Sequence, residues 1–293
     1  MASIIITDST CDLTLEYVQE NADILDILGM PVNVDGCEYL DDFGKTLSHD
    51  EFYAKLRSGV IPSTAQINVF RFKEIFEKHY KAGNSIIYIG FSSGMSGTFN
   101  NSLLARQEIL EEYPDADITV VDSLSASIGQ GVLIVEAIDL LRQGKSKEEI
   151  VEWIESNKLR SNHWFAVDDL KYLKKGGRIS ATTAVVGTAL NIKPILTVDY
   201  SGKLVPYSNV RGRKKSMKFL ADKVHEHMEN IEERTLIIGH GNCPEDAQML
   251  KEYILEACTP KKILISELSA TIASHVGPNM IATAFVGSPR EVK

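Results

Sequence analysis

Three serines, a threonine and two glycines fall within one short stretch, Ser92-Ser93-Gly94-Met95-Ser96-Gly97-Thr98, between an apolar run at 86–91 and a helix predicted over 99–112. At a strand-to-helix joint this composition makes an anion receptor. The first amides of a helix lack intrahelical acceptors and point outward with the positive end of the helix dipole. Hydroxyls add donors, and glycine lets the backbone come close to a bound group. The plainer reading is a capped helix start with a tight turn. A second hydroxyl pair, Ser63 and Thr64 in Pro62-Ser63-Thr64-Ala65-Gln66, precedes a helix predicted over 69–82 with Asn68 as its cap. Pro62 fixes its own φ and biases Ile61 toward an extended shape, so the pair is presented on an ordered loop.

The elements that must position these groups alternate. Apolar runs at 3–7, 85–90 and 118–122 read as buried strands, and 26–34 as a further strand-like run. Helical periodicity covers 15–21, 99–112 and 126–143. Asp35-Gly36 offers a hairpin turn, and Ser48 with Glu51 makes a capping box for a helix ending at Gly59. The expected fold is α/β with parallel strands and crossover helices, in which ligands gather at the carboxyl ends of strands. Those ends are Thr7-Asp8-Ser9-Thr10, the Ser92 to Thr98 stretch, and Asp122-Ser123. Asp8 and Asp122 could equally brace loops.

Ser146 and Glu149 cap a helix over 147–157, after which the pattern changes. A boundary near Arg160 divides the chain into 1–160, a parallel-sheet α/β domain, and 161–293, a mixed α/β domain. The second half has a strand near 163–167 and a short helix over 169–174 ended by Gly176-Gly177. Strands at 194–198 and 204–210 flank the hairpin turn Tyr200-Ser201-Gly202-Lys203, which predicts antiparallel pairing. Helices over 214–230 and 245–258 alternate with strands at 235–239 and 262–268.

Composition limits the function classes. The chain has 293 residues, 44% of them hydrophobic, enough for two ordinary domains. No run approaches the roughly 18 apolar residues of a membrane span, and the N-terminus lacks a basic region followed by an apolar one, which predicts cytosolic residence. A net charge of -9 argues against general nucleic-acid binding. Cys11, Cys37, Cys243 and Cys258 show no metal or redox spacing, and His225 and His227 are two apart on a predicted helix, so no metal site is expected. Two basic islands interrupt the acidic chain: Lys171, Lys174, Lys175 and Arg178, then Arg211, Arg213, Lys214, Lys215 and Lys218. Each is a solvated face, or a dock for an acidic partner or phosphate.

An ordered set of motifs resembles the DegV family of bacterial proteins from the first strand to the end of the chain. It comprises Thr7-Asp8-Ser9-Thr10 with Asp12-Leu13, Pro62-Ser63-Thr64, and Ser92-Ser93 with Ser96-Gly97-Thr98. Asp169-Leu170 with Tyr172-Leu173-Lys174-Lys175-Gly176-Gly177-Arg178-Ile179 follows, then Lys193-Pro194-Ile195-Leu196, Arg211 with Arg213-Lys214-Lys215, and His275 with Gly277-Pro278. The sequence departs from the family pattern at Ala65, Ile67 and Asn279, where serine, proline and glycine are frequent.

The resemblance implies a two-domain α/β protein holding one long-chain fatty acid, with no cofactor, its carboxylate near the domain junction and its tail in an apolar tunnel. It further implies presentation of the acid to a separate ATP-dependent fatty acid kinase subunit, which makes an acyl phosphate for phospholipid synthesis; the binding subunit is not itself the catalyst. By position, Thr64 and Ser96 are the expected donors to the carboxylate, with Ser63, Ser93 and His275 close by and Arg178 next. Arg211 and Arg213 are the expected contacts with the kinase subunit.

Two or three hydroxyl and amide donors make charge-assisted bonds to a carboxylate without a salt bridge. The tail dominates: at about 0.8 kcal/mol per methylene, roughly fifteen methylenes contribute on the order of 12 kcal/mol before ordering costs. Leu28, Met30, Phe91, Met95, Ile128, Ile192 and Phe285 suit either tunnel wall or core. His275 could be a donor, a general base or a nucleophile. The competing reading is a stand-alone phosphotransferase or hydrolase using His275 with Asp8 or Asp122, although a phosphate-binding Gly-x-x-x-x-Gly-Lys loop is absent. A third, nucleic-acid binding through Arg211 to Lys218, runs against the acidic total.

Overall fold

Runs of branched aliphatic residues make the strands of the first sheet, and their lack of alternation means that both faces are covered. The computed structural model describes residues 2–180 and 191–292. Its strands are β1 (Ser3–Asp8), β2 (Leu25–Leu28), β3 (Pro31–Val34), β4 (Cys37–Leu40), β5 (Ser63–Thr64), β6 (Ser85–Gly90), β7 (Ile118–Asp122), β8 (Ser161–Ala166), β9 (Ile192–Val198), β10 (Leu204–Arg211), β11 (Thr235–His240), β12 (Lys262–Glu267) and β13 (Ile281–Val286). Its helices are α1 (Leu15–Glu20), α2 (His49–Arg57), α3 (Val69–Lys81), α4 (Thr98–Glu112), α5 (Ile128–Arg142), α6 (Lys147–Asn157), α7 (Lys171–Lys175), α8 (Arg213–His227), α9 (Pro244–Leu255) and α10 (Ala270–Val276).

Three sheets result. The first, ordered β2-β1-β6-β7, is parallel throughout. The second, β10-β9-β8-β13-β11-β12, is mixed: β11 and β12 are parallel and the other pairs antiparallel. A small antiparallel sheet, β4-β3-β5, stands beside them. Helix α5 is buried without a break from Ile128 to Ile138, the mark of a helix enclosed on all sides. It lies between the two large sheets, and one core joins Ile5 and Ile87 of the first to Phe165, Leu196 and Ile237 of the second. A second core lies under α8 and α9, and a third between the first sheet and α3 and α4. Among the described residues no helix is long and apolar enough to cross a membrane.

Two local differences from the sequence pattern matter for the site. The run at 26–34 is not one strand: a Cβ on Gly29 would come within 2.8 Å of the Asp41 carbonyl, and Asp41 donates its amide to Met30, so the chain leaves the first sheet here and enters the small one. Ser63 and Thr64, expected on a loop, form β5 against β3. The Asp35-Gly36 turn closes the β3–β4 hairpin, both residues having positive φ as a two-residue loop of this kind requires.

Candidate functional site

The ends of β1, β5 and β6, the turn before α5, strands β8 and β10, and helix α10 enclose a cavity of about 410 Å³. Each wall segment is held by buried polar groups. Asp8 accepts hydrogen bonds from Tyr88 (3.0 Å), the Phe91 amide (3.3 Å) and Thr10, fixing the ends of β1 and β6. Asp12 accepts from Ser127 and the Ser269 amide, and Asp41 accepts from the Thr271 amide, so two buried carboxylates anchor the first turn of α10. Burial pushes Asp12 up to about 7 and also raises Asp41. Asp122 accepts from the Ser93 and Leu124 amides. Asp8 and Asp122 therefore brace loops, and neither is hydrogen-bonded to His275 among the described residues.

The glycine-rich turn is shaped by the other half of the chain. Ser92 donates to the Gly202 carbonyl at 2.7 Å, and the Ser201 and Gly202 carbonyls lie so close to Gly94 that a Cβ there has no room. Gln66 covers Gly97 in the same way. Ser96 bonds within its own turn, donating to Thr98 Oγ1 at 3.0 Å and accepting from the Thr98 amide.

Polar groups collect in one part of the wall. Thr64 Oγ1 and His275 Nε2 are 2.9 Å apart, and Arg178 donates to the carbonyls of Met95 (3.1 Å) and Gly176. Arg178 is the one charged side chain lining the cavity among the described residues, and none of them offers it a carboxylate. Burial, with the Arg178 charge nearby, pulls His275 down to about 4, so its imidazole is neutral at pH 7 and meets a ligand as an N–H donor or acceptor. The rest of the wall is mostly apolar, built from Met30, Phe91, Met95, Phe165, Ile272 and Met280 with the methyl of Ala126, interrupted by Thr10, Ser127, His163 and Thr271.

Thr64, Ser96, Arg178 and His275 thus share one cavity. Ser63 and Ser93 do not line it: both are exposed, Ser63 because successive residues of β5 face opposite ways, Ser93 because its turn faces outward. Met30, Phe91 and Met95 are wall residues. Leu28 and Phe285 sit in the outer cores, Ile128 in the central one, and Ile192 outside the lining. His163, Phe165, Ile272 and Met280 line the cavity although no motif marks them in the sequence; Phe165 and Ile272 give only an apolar signal there. In the second basic island Arg213 is half-buried and paired with Asp246 at 2.8 Å, whereas Arg211 is exposed with no ion pair among the described residues. Asn279 stands at φ 61°, a left-handed conformation that glycine and asparagine adopt most readily, and its amide donates to Asp168, which also pairs with Lys193.

The family model described as "Uncharacterised protein, DegV family" matches residues 3–288. The chain belongs to the DegV family. A DegV domain-containing protein of Clostridium perfringens is 46% identical over 290 residues, 98% of each chain. Among solved structures, the fatty-acid-binding DegV family protein of Thermus thermophilus is similar with a TM-score of 0.87 at 28% identity, covering 98% of this chain and 100% of that one. The fatty-acid-binding DegV family protein of Streptococcus agalactiae is similar with a TM-score of 0.84 at 30% identity, covering 98% and 99%. This DegV protein therefore has the two-domain α/β architecture expected from its sequence.

Proposed function

We propose that this DegV protein holds one long-chain fatty acid in the cavity, its carboxylate among Thr64, Ser96, His275 and Arg178 and its chain along the apolar wall. The observation that carries this is Arg178, a cation without a carboxylate partner among the described residues, set in an otherwise uncharged and mostly apolar cavity. A carboxylate neutralises it, so a charged bond joins the hydroxyl donors expected from sequence. The fatty acids bound by the Thermus and Streptococcus relatives support the same ligand class. Protein denatured after purification should release about one fatty acid per chain to mass spectrometry. Lipid-free protein that also fails to bind added acid would end the reading.

In this proposal the acid is presented to a separate ATP-dependent kinase subunit in the cytoplasm, and the DegV protein does not catalyse. The lipid site lies at the junction of domains 1–160 and 161–293. His275 faces Thr64 rather than a carboxylate, which supports a binding role over the histidine–aspartate enzyme. ATP consumption by this chain alone with a fatty acid would reverse that assignment.

Thr64→Ala and Ser96→Ala should each weaken fatty-acid binding by about 1 to 3 kcal/mol in a calorimetric titration, the cost of leaving a buried acceptor short of a donor. Arg211→Ala should leave that titration unchanged and slow acyl phosphate formation with the kinase subunit, since an exposed rim cation acts on partner encounter. If Arg211→Ala empties the cavity instead, the division between lipid site and docking surface is wrong.

A further inference from the structure

His163 lies on β8, 2% exposed, and lines the cavity; neither ring nitrogen has a hydrogen-bond partner among the described residues. A neutral imidazole carries one donor and one acceptor, and a buried polar atom left unpaired is a net cost that native proteins rarely bear without a use. Several polar side chains of the wall are engaged within the protein: Thr10 with Asp8 and Gln130, Ser127 with Asp12, Ser96 with Thr98. Thr271 Oγ1 and His275 Nδ1 on α10 are also without a partner among the described residues, but His275 keeps Thr64 on its other nitrogen, so His163 is the wall imidazole with both nitrogens open. Ser125 Oγ, buried behind the cavity wall, is also without a partner among the described residues. It and His163 Nδ1 both lie within about 3 Å of the point that a Cβ on Gly129 would occupy, so a hydroxyl and an imidazole share a small space at the foot of α5.

This niche is separate from the carboxylate cluster. On β13, Ala282 pairs with Phe165 and Ala284 with His163, so His163 lies one pleat, about 6.5 Å, further than Phe165 from the end of α10 that carries His275. Phe165 and His163 share a face, their rings 5.4 Å apart. A hydrocarbon chain passing Phe165 reaches His163 at a point along its length rather than at its acid end. Burial pulls His163 down to about 3, so the ring stays neutral and offers both hydrogen-bonding roles at any working pH.

We propose that His163 recognises an oxygen substituent on the acyl chain, so that the channel prefers hydroxy or oxo fatty acids to plain ones. This rests on the reading of the cavity as a fatty-acid site. A hydroxyl on the chain both donates and accepts and so satisfies the imidazole, whereas a methylene leaves it unpaired. A site built around a hydrogen bond discriminates against a ligand lacking that group more strongly than an apolar pocket discriminates against added oxygen.

The test is a titration of stearic acid against a series of hydroxystearic acids whose hydroxyl steps along the chain. In the wild-type protein one isomer should bind about tenfold tighter than stearic acid. His163→Leu should abolish that ratio and His163→Gln should keep part of it; a merely loosened channel would move both ligands together and leave the ratio intact. If the leucine variant does not fold, ring nitrogen-15 shifts of His163 in the wild-type protein should respond to the preferred isomer and not to stearic acid. A flat series, or an undiminished ratio in His163→Leu, overturns the niche while stearic acid binding leaves the fatty-acid site standing. Failure of every acid to bind overturns both.

Discussion

Ala126→Phe should lower long-chain fatty-acid affinity at least about a hundredfold while leaving the fold intact. Ala126 is 5% exposed and forms part of the cavity wall immediately before α5. A phenyl ring there occupies the space through which, in the proposed function, the chain runs. Since each buried methylene contributes about 0.8 kcal/mol, displacing roughly four of them costs about 3 kcal/mol, which corresponds to that loss of affinity. The ring enters the 410 Å³ cavity rather than a filled core, so the overpacking penalty that accompanies small-to-large changes in tight interiors is avoided. Competition with a fluorescent fatty acid measures the affinity, and a thermal melt checks the fold. Wild-type affinity in Ala126→Phe would mean that the chain does not pass this turn.

Head group and chain draw on two energy sources that the sequence displays unequally. Hydroxyl and glycine motifs mark the polar end of the cavity, where the proposed acid group sits, because turns and helix starts have local chemistry. Thr64 and Ser96 are legible for that reason, and β6, β7 and the cap of α3 at Asn68 lie where their patterns place them. The apolar end has no such mark. Ile272 lies on α10, where six of seven residues are buried, so the helix has no polar face to reveal its period. Met30 reaches the cavity because the chain changes sheets at Gly29, a break imposed by the Asp41 carbonyl from a distant part of the sequence. Ser63 and Thr64 are equivalent in sequence until β5 pairs with β3; pairing then turns one out and the other in.

Arg178 shows the same limit from the side of charge. By charge pattern alone it is one of four cations in a basic island, and only the family resemblance singles it out. The fold leaves Lys171, Lys174 and Lys175 away from the cavity and draws only Arg178 toward it, against the Met95 carbonyl. The neutral donors read from the motifs are therefore joined by a cation, and the site is more strongly polarised than a set of hydroxyls alone. The two halves of the chain cooperate in this, since the turn carrying Met95 is shaped by carbonyls of the β9–β10 hairpin.

A residue that ties those halves together is outside every motif. Arg290→Met should destabilise the protein by about 4 kcal/mol, because it removes a charged donor from four main-chain acceptors at once. Arg290 is 4% exposed, and its guanidinium donates to four main-chain carbonyls: Ser161 at 3.0 Å, Leu124 at 2.8 Å, Asp199 at 2.8 Å and Lys158 at 3.0 Å. Those carbonyls belong to the turn before α5, the segment after α6, the start of β8 and the β9–β10 hairpin. Burial pulls Arg290 down to about 10, so it remains charged at pH 7 and its bonds are charge-assisted. Methionine fills much of the space but takes the guanidinium donor from all four carbonyls, of which Asp199 and Lys158 keep the Gly202 and Ser161 amides. Lysine, with three donors on a single nitrogen, cannot reproduce the planar fork and should recover only part of the loss. In a chain of this size about 4 kcal/mol corresponds to a fall of roughly 10 °C in melting temperature. Saturating fatty acid should restore part of it, because the ligand binds only where the turn before α5 and the β9–β10 hairpin are both in place. A melting temperature within about 2 °C of wild type would show that water reaches these carbonyls and that Arg290 is not the tie between the two sheets.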